Sequence, residues 1–389
     1  MALEVRPFGV KCNIACQYCY QHPERDAGNE ARSYDMDKIL GTLEEEKSSF
    51  TLFGGEPLLM PTEDLQALWA YGLGKHGKNG VQTNGVLVTE RHIEMFERYK
   101  VSVGVSVDGP GELNDIRWAG TLEKTREATE ATMNTIARLC ERGRPPSLII
   151  TLHRGNASQE RLPRFLDWLT ELRELGVRST RIHLLEVESP QIRAKYALSD
   201  DENLRALRAI RERAERVGLQ LDMFADMQRM LRGMDNKMTC VYTGCDPYTT
   251  DAVQGLEGSG QRSNCGRTNK DGVDFVKAGV RGFERYMALY HTPQGYGGCN
   301  GCRFFLACKG QCPGTSVGND WRNRTEHCEV LKALFAEAEE ELLEQGELPL
   351  SVSPRRAAVE AEVLRLWGNG QHAFLKKAIK RDARTGVPA

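Results

Sequence analysis

The sequence predicts an α/β protein with a parallel sheet in its first half and a small cysteine-rich region in its second half. Short β-rich runs alternate with stretches of helical periodicity up to about residue 190, and the composition then shifts toward glycine and cysteine. Hydrophobic residues make up 40% of the 389 residues and charged residues 27%. A chain of this composition can bury a large core, so wholesale disorder is excluded.

The strand-like runs and the helical stretches follow one another in order. The predicted strands are residues 3–10, 50–53, 80–83, 101–107, 147–152 and 180–187. The predicted helices between them are residues 36–43, 64–71, 90–99, 122–139 and 162–175. Such alternation is typical of parallel βα units, in either a doubly wound sheet or a barrel, and both bind ligands at the carboxyl ends of the strands.

Composition divides the chain into four predicted segments. Residues 1–190 hold the βα units, and residues 191–237 form a bridging helical segment. Residues 238–330 have weak periodicity, which indicates a domain organised by bound metal more than by a hydrophobic core. Residues 331–389 are predicted to be helical, with an interruption at Gly368 to Gly370.

Charge and cysteine content narrow the class of protein. The chain has 52 basic and 54 acidic residues, so a role in coating nucleic acid or an anionic membrane is not expected. We find no apolar run of about 20 residues and no secretory signal, and we therefore expect a cytoplasmic protein. Twelve cysteines in that compartment indicate metal binding more than disulfides.

The first cysteine group has a spacing that suits an iron–sulfur cluster. Cys12, Cys16 and Cys19 form C-x3-C-x2-C directly after the first predicted strand. Three thiolates leave one iron of a four-iron cluster without a protein ligand, whereas structural zinc prefers four ligands. The alternatives are three unrelated buried thiols, or a zinc site that takes a distant fourth ligand.

The loop from Cys12 to Cys19 resembles that of the radical S-adenosylmethionine (SAM) enzymes. The resemblance implies a partial, TIM-like (β/α)6 barrel in which the open iron chelates SAM. It also implies reductive cleavage of SAM to methionine and a 5′-deoxyadenosyl radical, with flavodoxin or ferredoxin as electron donor.

Other segments resemble the SAM-binding motifs of the same superfamily. Gly54, Gly55, Glu56 and Pro57 follow the second strand and are similar to the motif for the SAM amino group, where glycine lets backbone carbonyls approach closely. The resemblance also assigns SAM contacts to Tyr18, Asn84, Ser106, Asp108 and Arg117. A turn at a strand end, or a surface ion pair, is the alternative for each.

The second cysteine group resembles the SPASM domain of radical SAM enzymes that modify peptides and proteins. Cys245, Gly260 and Cys265 match its first half, and its second half matches at Cys299, Cys302, Cys308, Cys312 and Cys328. The resemblance implies auxiliary cluster I at Cys240, Cys245, Cys265 and Cys312, and auxiliary cluster II at Cys299, Cys302, Cys308 and Cys328. Two zinc sites are the alternative for the domain, and a free thiol beside an open iron is the alternative for Cys240.

Candidates for catalysis are fewer. Asp246, Tyr248 and Asp271 flank cysteines of auxiliary cluster I and are candidate acids or bases. Cys140 lies on the apolar stripe of a long helix, so we expect an inert thiol, with hydrogen transfer as the alternative. Sulfatase-maturing relatives carry aspartate after the cysteine equivalent to Cys265, where this chain has Gly266, and the departure argues against that activity.

Taken together, the resemblance implies three four-iron clusters, bound SAM and a precursor peptide as substrate. The expected reaction is an oxidative cross-link in a ribosomally made peptide, through a thioether, C–C or C–O bond. A dehydrogenase or epimerase acting on a small molecule or protein side chain is the second hypothesis, and a zinc-binding module without catalysis is the third. We expect no leader-binding domain before Cys12, so peptide recognition would use the barrel rim, a separate protein, or the basic face at Lys376, Lys377, Lys380, Arg381 and Arg384.

Overall fold

A computed structural model describes most of the chain and divides it into two compact units. The described residues are 2–21, 33–187, 189–236, 238, 240–246, 249–250, 253–268 and 282–385. The first unit comprises residues 2–222 and 254–266. The second unit comprises residues 223–253 and 267–389.

The first unit is built on a sheet whose strands lie in the order β7-β6-β5-β4-β3-β2-β1-β8-β9. The strands are β1 (Ala2–Arg6), β2 (Phe50–Leu52), β3 (Asn79–Thr83), β4 (Val101–Ser106), β5 (Ser147–Leu152), β6 (Ser179–Leu184), β7 (Gln220–Leu221), β8 (Val253–Glu257) and β9 (Arg262–Asn264). Strands β1 to β7 pair in parallel, and β8 and β9 form an antiparallel hairpin beside β1. The predicted parallel α/β fold is confirmed, and all six predicted strands are present.

Helices connect the parallel strands, as right-handed βαβ units require. They are α1 (Met36–Glu46), α2 (Thr62–His76), α3 (Glu90–Arg98), α4 (Leu122–Glu141), α5 (Arg154–Ala157), α6 (Leu162–Leu175), α7 (Pro190–Tyr196) and α8 (Asp200–Val217). Several begin at a residue whose side chain accepts a hydrogen bond from the first turn, including Thr89, Thr121 and Ser199. These caps explain why the predicted and observed starts agree closely.

The core of the first unit lies between the sheet and its helices. Leu52, Val105 and Ile150 on the strands have no exposed surface. Trp69 on α2 and Trp168 on α6 are also fully buried. Burial of side chains this large is the main stabilising contribution to such a layered fold.

The second unit has helices but little sheet. Its helices are α9 (Asp222–Leu231), α10 (Glu284–His291), α11 (Phe305–Cys308), α12 (Cys328–Glu344), α13 (Arg356–Gly368) and α14 (Leu375–Thr385). Trp367 on α13 packs on Tyr286 and Phe283, with ring centroids 5.0 and 6.0 Å apart. Within the described part of the chain, no helix is both long and apolar enough to span a membrane.

Candidate active site and cysteine clusters

The first cysteine loop follows β1 and is anchored to the segment after β4. The Ala15 amide donates to the Trp118 carbonyl at 2.7 Å. Inside the loop, the Cys19 amide donates to the Cys16 carbonyl at 3.0 Å, so these two thiols belong to one turn. Cys16 is buried, whereas Cys12 and Cys19 are half-buried. The loop therefore presents three thiols at the carboxyl end of the central strands.

The two glycines after β2 lie directly under the cysteine loop. A β-carbon on Gly55 would lie 1.9 Å from the Lys11 carbonyl oxygen, and one on Gly54 would lie 2.5 Å from the Gly9 oxygen. The Gly55 amide donates to that Gly9 carbonyl at 2.9 Å. Glycine is required here because the backbone of the loop occupies the space of a side chain, a reason that the sequence did not reveal.

The Glu56 carboxylate joins the ends of β2 and β3. One oxygen accepts from the Leu58 amide at 3.0 Å and the Thr83 hydroxyl at 2.8 Å, and the other accepts from the Asn84 amide at 2.8 Å. Burial raises the pKa of Glu56, and these three donors oppose the rise. The carboxylate is thus fully engaged within the protein, which makes Glu56 a positioning residue for Asn84.

Asn84 connects the end of β3 to the cysteine loop. Its side-chain nitrogen donates to Asn13 Oδ1 at 2.7 Å and lies 3.7 Å from Cys12 Sγ. The predicted site residue Asn84 therefore contacts a predicted cluster ligand.

Threonines of α4 hold the backbone beside Asn84. The hydroxyls of Thr132 and Thr135 donate to the carbonyls of Asn84 and Gly85 at 2.8 and 2.9 Å. Both belong to a buried stripe that also includes Thr125 and Thr129. Sequence reasoning missed this role, although threonines repeated at helical spacing where aliphatic residues are usual were a usable signal.

A buried polar network links the cysteine loop to the end of β4. The Tyr18 hydroxyl donates to Asp108 Oδ2 at 2.6 Å and accepts from Arg117 Nη1 at 2.8 Å. Burial and the Asp108 charge raise the pKa of Tyr18 well above its ordinary value. Burial disfavours the charged form of Arg117 and so lowers its pKa. The nearby Cys16, Tyr18 and Asp108 outweigh this effect and raise the pKa above the usual range. Three predicted site residues therefore lie together around the loop.

His153 completes this network and was missed by sequence reasoning. It is fully buried, its Nε2 lies 3.7 Å from Asp108 Oδ2, and its Nδ1 accepts from the Gly155 amide at 3.1 Å. An accepting Nδ1 places the proton of the neutral ring on Nε2, which faces the carboxylate. Burial would raise the pKa of Asp108, but His153, Arg117 and Tyr18 together hold it below its ordinary value. The position of His153 directly after β5 was the available signal.

Ser106 lies at the end of β4 and pairs across to β3. Its hydroxyl accepts from Gln82 Nε2 at 2.8 Å, and the side chain is half-buried. The predicted SAM contact at Ser106 is thus near the same edge of the sheet as Asp108.

A buried ion pair joins β1 to the β8–β9 hairpin. Arg6, which is 4% exposed, donates to the Glu257 carboxylate and, at 3.1 Å, to the Ser263 hydroxyl. A β-carbon on Gly266 would lie 3.0 Å from Arg6 Nη1 and 3.2 Å from Tyr20. A side chain after Cys265 would therefore need the ends of the Arg6 and Tyr20 side chains to shift by a few tenths of an ångström.

Four cysteines of the second unit line one cavity. They are Cys299, Cys302, Cys308 and Cys328. Aromatic rings form much of the remaining wall, at Phe304, Phe305 and Phe335. The set of thiols matches the ligand set that the resemblance implies for auxiliary cluster II.

The surroundings of these thiols oppose their ionisation. Burial raises the pKa of Cys299 to about 12 and that of Cys308 well above its ordinary value. Arg285 and Arg324 oppose the rise at Cys299. Thiolates crowded into an apolar wall need a positively charged group among them, and the irons of a cluster supply that charge.

The cysteines of the second unit can be compared with the ligand sets of a single metal ion and of a cluster. Among the residues that the structure describes, no three histidine, cysteine, aspartate or glutamate side chains are grouped to hold one metal ion. A zinc ion would need its sulfur ligands about 2.3 Å from one point. A four-iron cluster keeps its thiolates farther apart, because each thiolate binds a different iron.

The turn that carries Cys240 and Cys245 is joined to the segment around Cys308 by a buried lysine. Lys309 is 1% exposed, and its ammonium donates to the Tyr242 carbonyl at 2.6 Å. The pKa of Lys309 is lowered to about 8 by burial. The lysine thus fixes the spacing of the two cysteine segments inside the second unit.

The structure describes two of the four weak catalytic candidates, Asp246 and Cys140. Asp246 is buried and accepts from the Arg285 amide at 3.0 Å, so its carboxylate holds the first turn of α10. Cys140 is half-buried beside Gly176, and burial raises the pKa of its thiol. Tyr248 and Asp271 lie outside the described residues.

Comparison with protein families gives a match for one segment of the chain. A model of the radical SAM superfamily matches residues 7–169. These residues form a radical SAM domain. The matched segment carries the cysteine loop, the Gly54–Pro57 motif and the Tyr18–Asp108–Arg117 network.

Relatives of the radical SAM domain include enzymes that modify sulfatases. A serine-type anaerobic sulfatase-maturating enzyme of Bacteroides thetaiotaomicron is 32% identical over 124 residues, which are 28% of this chain and 30% of that protein. A cysteine-type anaerobic sulfatase-maturating enzyme of Clostridium perfringens is 30% identical over 130 residues, which are 30% of this chain and 35% of that protein. The matches thus span about a third of the length of these curated relatives.

Solved structures confirm the fold over most of the chain. The structure of native anSMEcpe with bound AdoMet and the Cp18Cys peptide has a TM-score of 0.67 and 17% sequence identity, and the match covers 88% of this chain and 98% of that one. The structure with bound AdoMet alone has a TM-score of 0.64 and 18% identity, with the same coverage. The predicted α/β fold with a partial barrel and a cysteine-rich C-terminal region is therefore confirmed.

Proposed function

We propose that the protein is a radical SAM enzyme that removes two electrons from a side chain of a peptide substrate. The observation that carries the proposal is the placement of Cys12, Cys16 and Cys19 at the strand ends of a radical SAM domain, with Asn84 reaching Cys12. The relatives that mature sulfatases support a peptide or protein substrate.

In this proposal the three cysteines of the first loop hold a four-iron cluster, which supplies SAM cleavage and a radical that abstracts hydrogen. The chain's own residues position this group and its SAM. The Glu56 carboxylate accepts from the Asn84 amide and so positions that residue. Asp108 and Arg117 keep their charges while buried away from water. SAM contacts at Tyr18, Gly54, Gly55, Pro57 and Ser106 belong to the same proposal.

Two further clusters would take up the electron that the substrate radical loses. We assign one to the cavity formed by Cys299, Cys302, Cys308 and Cys328, and the other, from sequence spacing, to Cys240, Cys245, Cys265 and Cys312. The substrate loses one hydrogen atom to the deoxyadenosyl radical, then one electron and one proton as a closed-shell product forms. The candidate acceptors of this proton are Asp246, Tyr248 and Asp271.

The proposed product is a cross-link within the peptide. The glycine at position 266 supports this choice, because sulfatase-maturing relatives carry an aspartate at the position after Cys265. The names of the curated relatives favour a second candidate, oxidation of a serine or cysteine side chain to an aldehyde.

Mass spectrometry of a treated peptide tests both candidates. The reconstituted protein is incubated with SAM, dithionite and, where one is found, a small peptide encoded beside its gene, and in parallel with a sulfatase peptide that carries cysteine or serine. A cross-link lowers the mass by about 2 Da and leaves no group that reacts with a hydrazide. A hydrazide-reactive product favours the aldehyde. Unchanged peptides, together with SAM cleavage stimulated by a small metabolite, would contradict both.

A further inference from the structure

Arg324 lies in the wall of the four-cysteine cavity with one donor unused. Its Nη1 donates to the carbonyls of Gln294 and Gly298, the latter at 3.0 Å, and its backbone amide donates to the Gly297 carbonyl at 2.8 Å. These contacts fix the guanidinium in place. Its Nε, in contrast, is buried and has no hydrogen-bond partner in the described part of the chain. A buried N–H without an acceptor is rare in native proteins and indicates a partner that protein atoms do not supply.

The other polar groups of the wall are already engaged. Lys332 donates to Gln294 Oε1 at 2.7 Å and to Glu329 Oε1 at 3.3 Å. The Thr325 hydroxyl is 2.8 Å from that of Thr315. The rest of the wall consists mainly of aromatic rings and thiols. Apart from backbone carbonyls, the acceptors that this wall offers to Arg324 are therefore mainly the sulfurs of its four cysteines.

We infer that Arg324 donates its Nε–H to a sulfur of the iron–sulfur group held by Cys299, Cys302, Cys308 and Cys328, and thereby raises the reduction potential of that group. This inference rests on the proposal that these cysteines bind a cluster. The negative charge on the sulfurs increases when the group takes up an electron, so a charge-assisted hydrogen bond stabilises the reduced form more than the oxidised form. A higher potential favours uptake of the electron that the substrate radical releases.

The test is a spectroelectrochemical titration of the full chain, reconstituted with iron and sulfide. Replacement of Cys12, Cys16 and Cys19 by alanine removes the SAM-binding cluster from the signal, and Cys302→Ser in that background identifies the transition that belongs to the cavity. Arg324→Gln is expected to lower the ratio of reduced to oxidised group at a fixed potential about tenfold, which corresponds to about 59 mV for one electron. Arg324→Lys, which keeps the charge but not the Nε–H, is expected to give a smaller decrease.

Lys332→Gln is the matched control, because it removes another cation from the same wall. The Lys332 ammonium already donates to Gln294 and Glu329. It is expected to shift the potential less than either Arg324 variant. Equal shifts in Arg324→Gln and Lys332→Gln, or an unchanged potential in both Arg324 variants, would overturn the inference. Loss of iron from both Arg324 variants would also overturn it, because Arg324 would then be needed to bind the cluster and not to set its reduction potential. A parent protein without iron would instead refute the proposed function.

Discussion

The first cysteine loop and the four-cysteine cavity are supported by different kinds of neighbour. Around the loop, the polar groups bind each other: Glu56 accepts from three donors, and Asp108 accepts from Tyr18 and from the Thr151 amide. In the cavity, thiols lie among phenylalanines, and burial raises the pKa of Cys299 to about 12. The first site is therefore organised by contacts within the protein, whereas in our proposal the second depends on the cluster that it binds.

The largest expected effect concerns the cavity. Removal of iron with a chelator should expose the segment from Cys299 to Cys328 to proteolysis, because the thiols lose the group that holds them together. The sheet of the first unit should remain protected, since its core does not depend on metal. Limited proteolysis followed by mass spectrometry checks this result.

Cys302→Ser should reproduce the loss of protection without a chelator, and Cys140→Ala is the matched control. Cys140 is a half-buried cysteine that belongs to no proposed cluster, so its variant should keep the full iron content. Equal proteolysis of iron-loaded and iron-free protein would show that the cavity, like the first site, keeps its structure without bound metal.

A smaller effect is expected at Glu56. Glu56→Ala leaves the Asn84 and Leu58 amides and the Thr83 hydroxyl without their acceptor, and should lower the free energy of unfolding of the first unit by roughly 3 to 5 kcal/mol. Glu56→Gln keeps one acceptor oxygen and should cost about 1 to 2 kcal/mol. Urea denaturation of iron-free protein measures both. A loss below about 1 kcal/mol for Glu56→Ala would show that these contacts do not organise the site.

The smallest expected effect is a dependence on pH at Asp108. The pKa of Asp108 in the folded protein is lowered below its ordinary value. Its contribution to stability is therefore complete above the unfolded pKa of about 3.9, and is lost as the pH falls through the lower folded pKa. Denaturation between about pH 5 and about pH 2, in steps of about half a unit, should show a larger loss of stability in the parent protein than in Asp108→Asn. Parallel pH profiles for the two proteins would contradict the prediction.

The parallel sheet could be predicted from sequence because its strands are long enough to show a pattern. The predicted 147–152 and the observed β5 coincide, and the other five predicted strands differ from the observed ones by a few residues at their ends. The hairpin of β8 and β9 was not predicted. Its strands have five and three residues, and glycines at Gly255, Gly258 and Gly260 weaken the alternation.

Site residues could be predicted from sequence where they belong to a motif. Residues that join the site only through a contact with a distant part of the chain could not. Tyr18 and Asp108 were named from motifs and meet in the structure across 90 residues of sequence. His153 and the threonines of α4 were missed, because a position after a strand or a helical spacing does not reveal which distant residue is contacted. Only the fold shows that His153 faces Asp108 and that Thr132 binds the carbonyl of Asn84.

The release of 5′-deoxyadenosine tests the central claim most directly, namely that Cys12, Cys16 and Cys19 hold the cluster that cleaves SAM. The protein is reconstituted with iron and sulfide without oxygen and mixed with SAM and dithionite, and the nucleoside is measured by chromatography. The parent protein should contain about 12 iron atoms and release 5′-deoxyadenosine, and the triple alanine variant should keep about 8 iron atoms and release none. Equal release from both proteins, or stoichiometric zinc with little iron in the parent, would contradict the account.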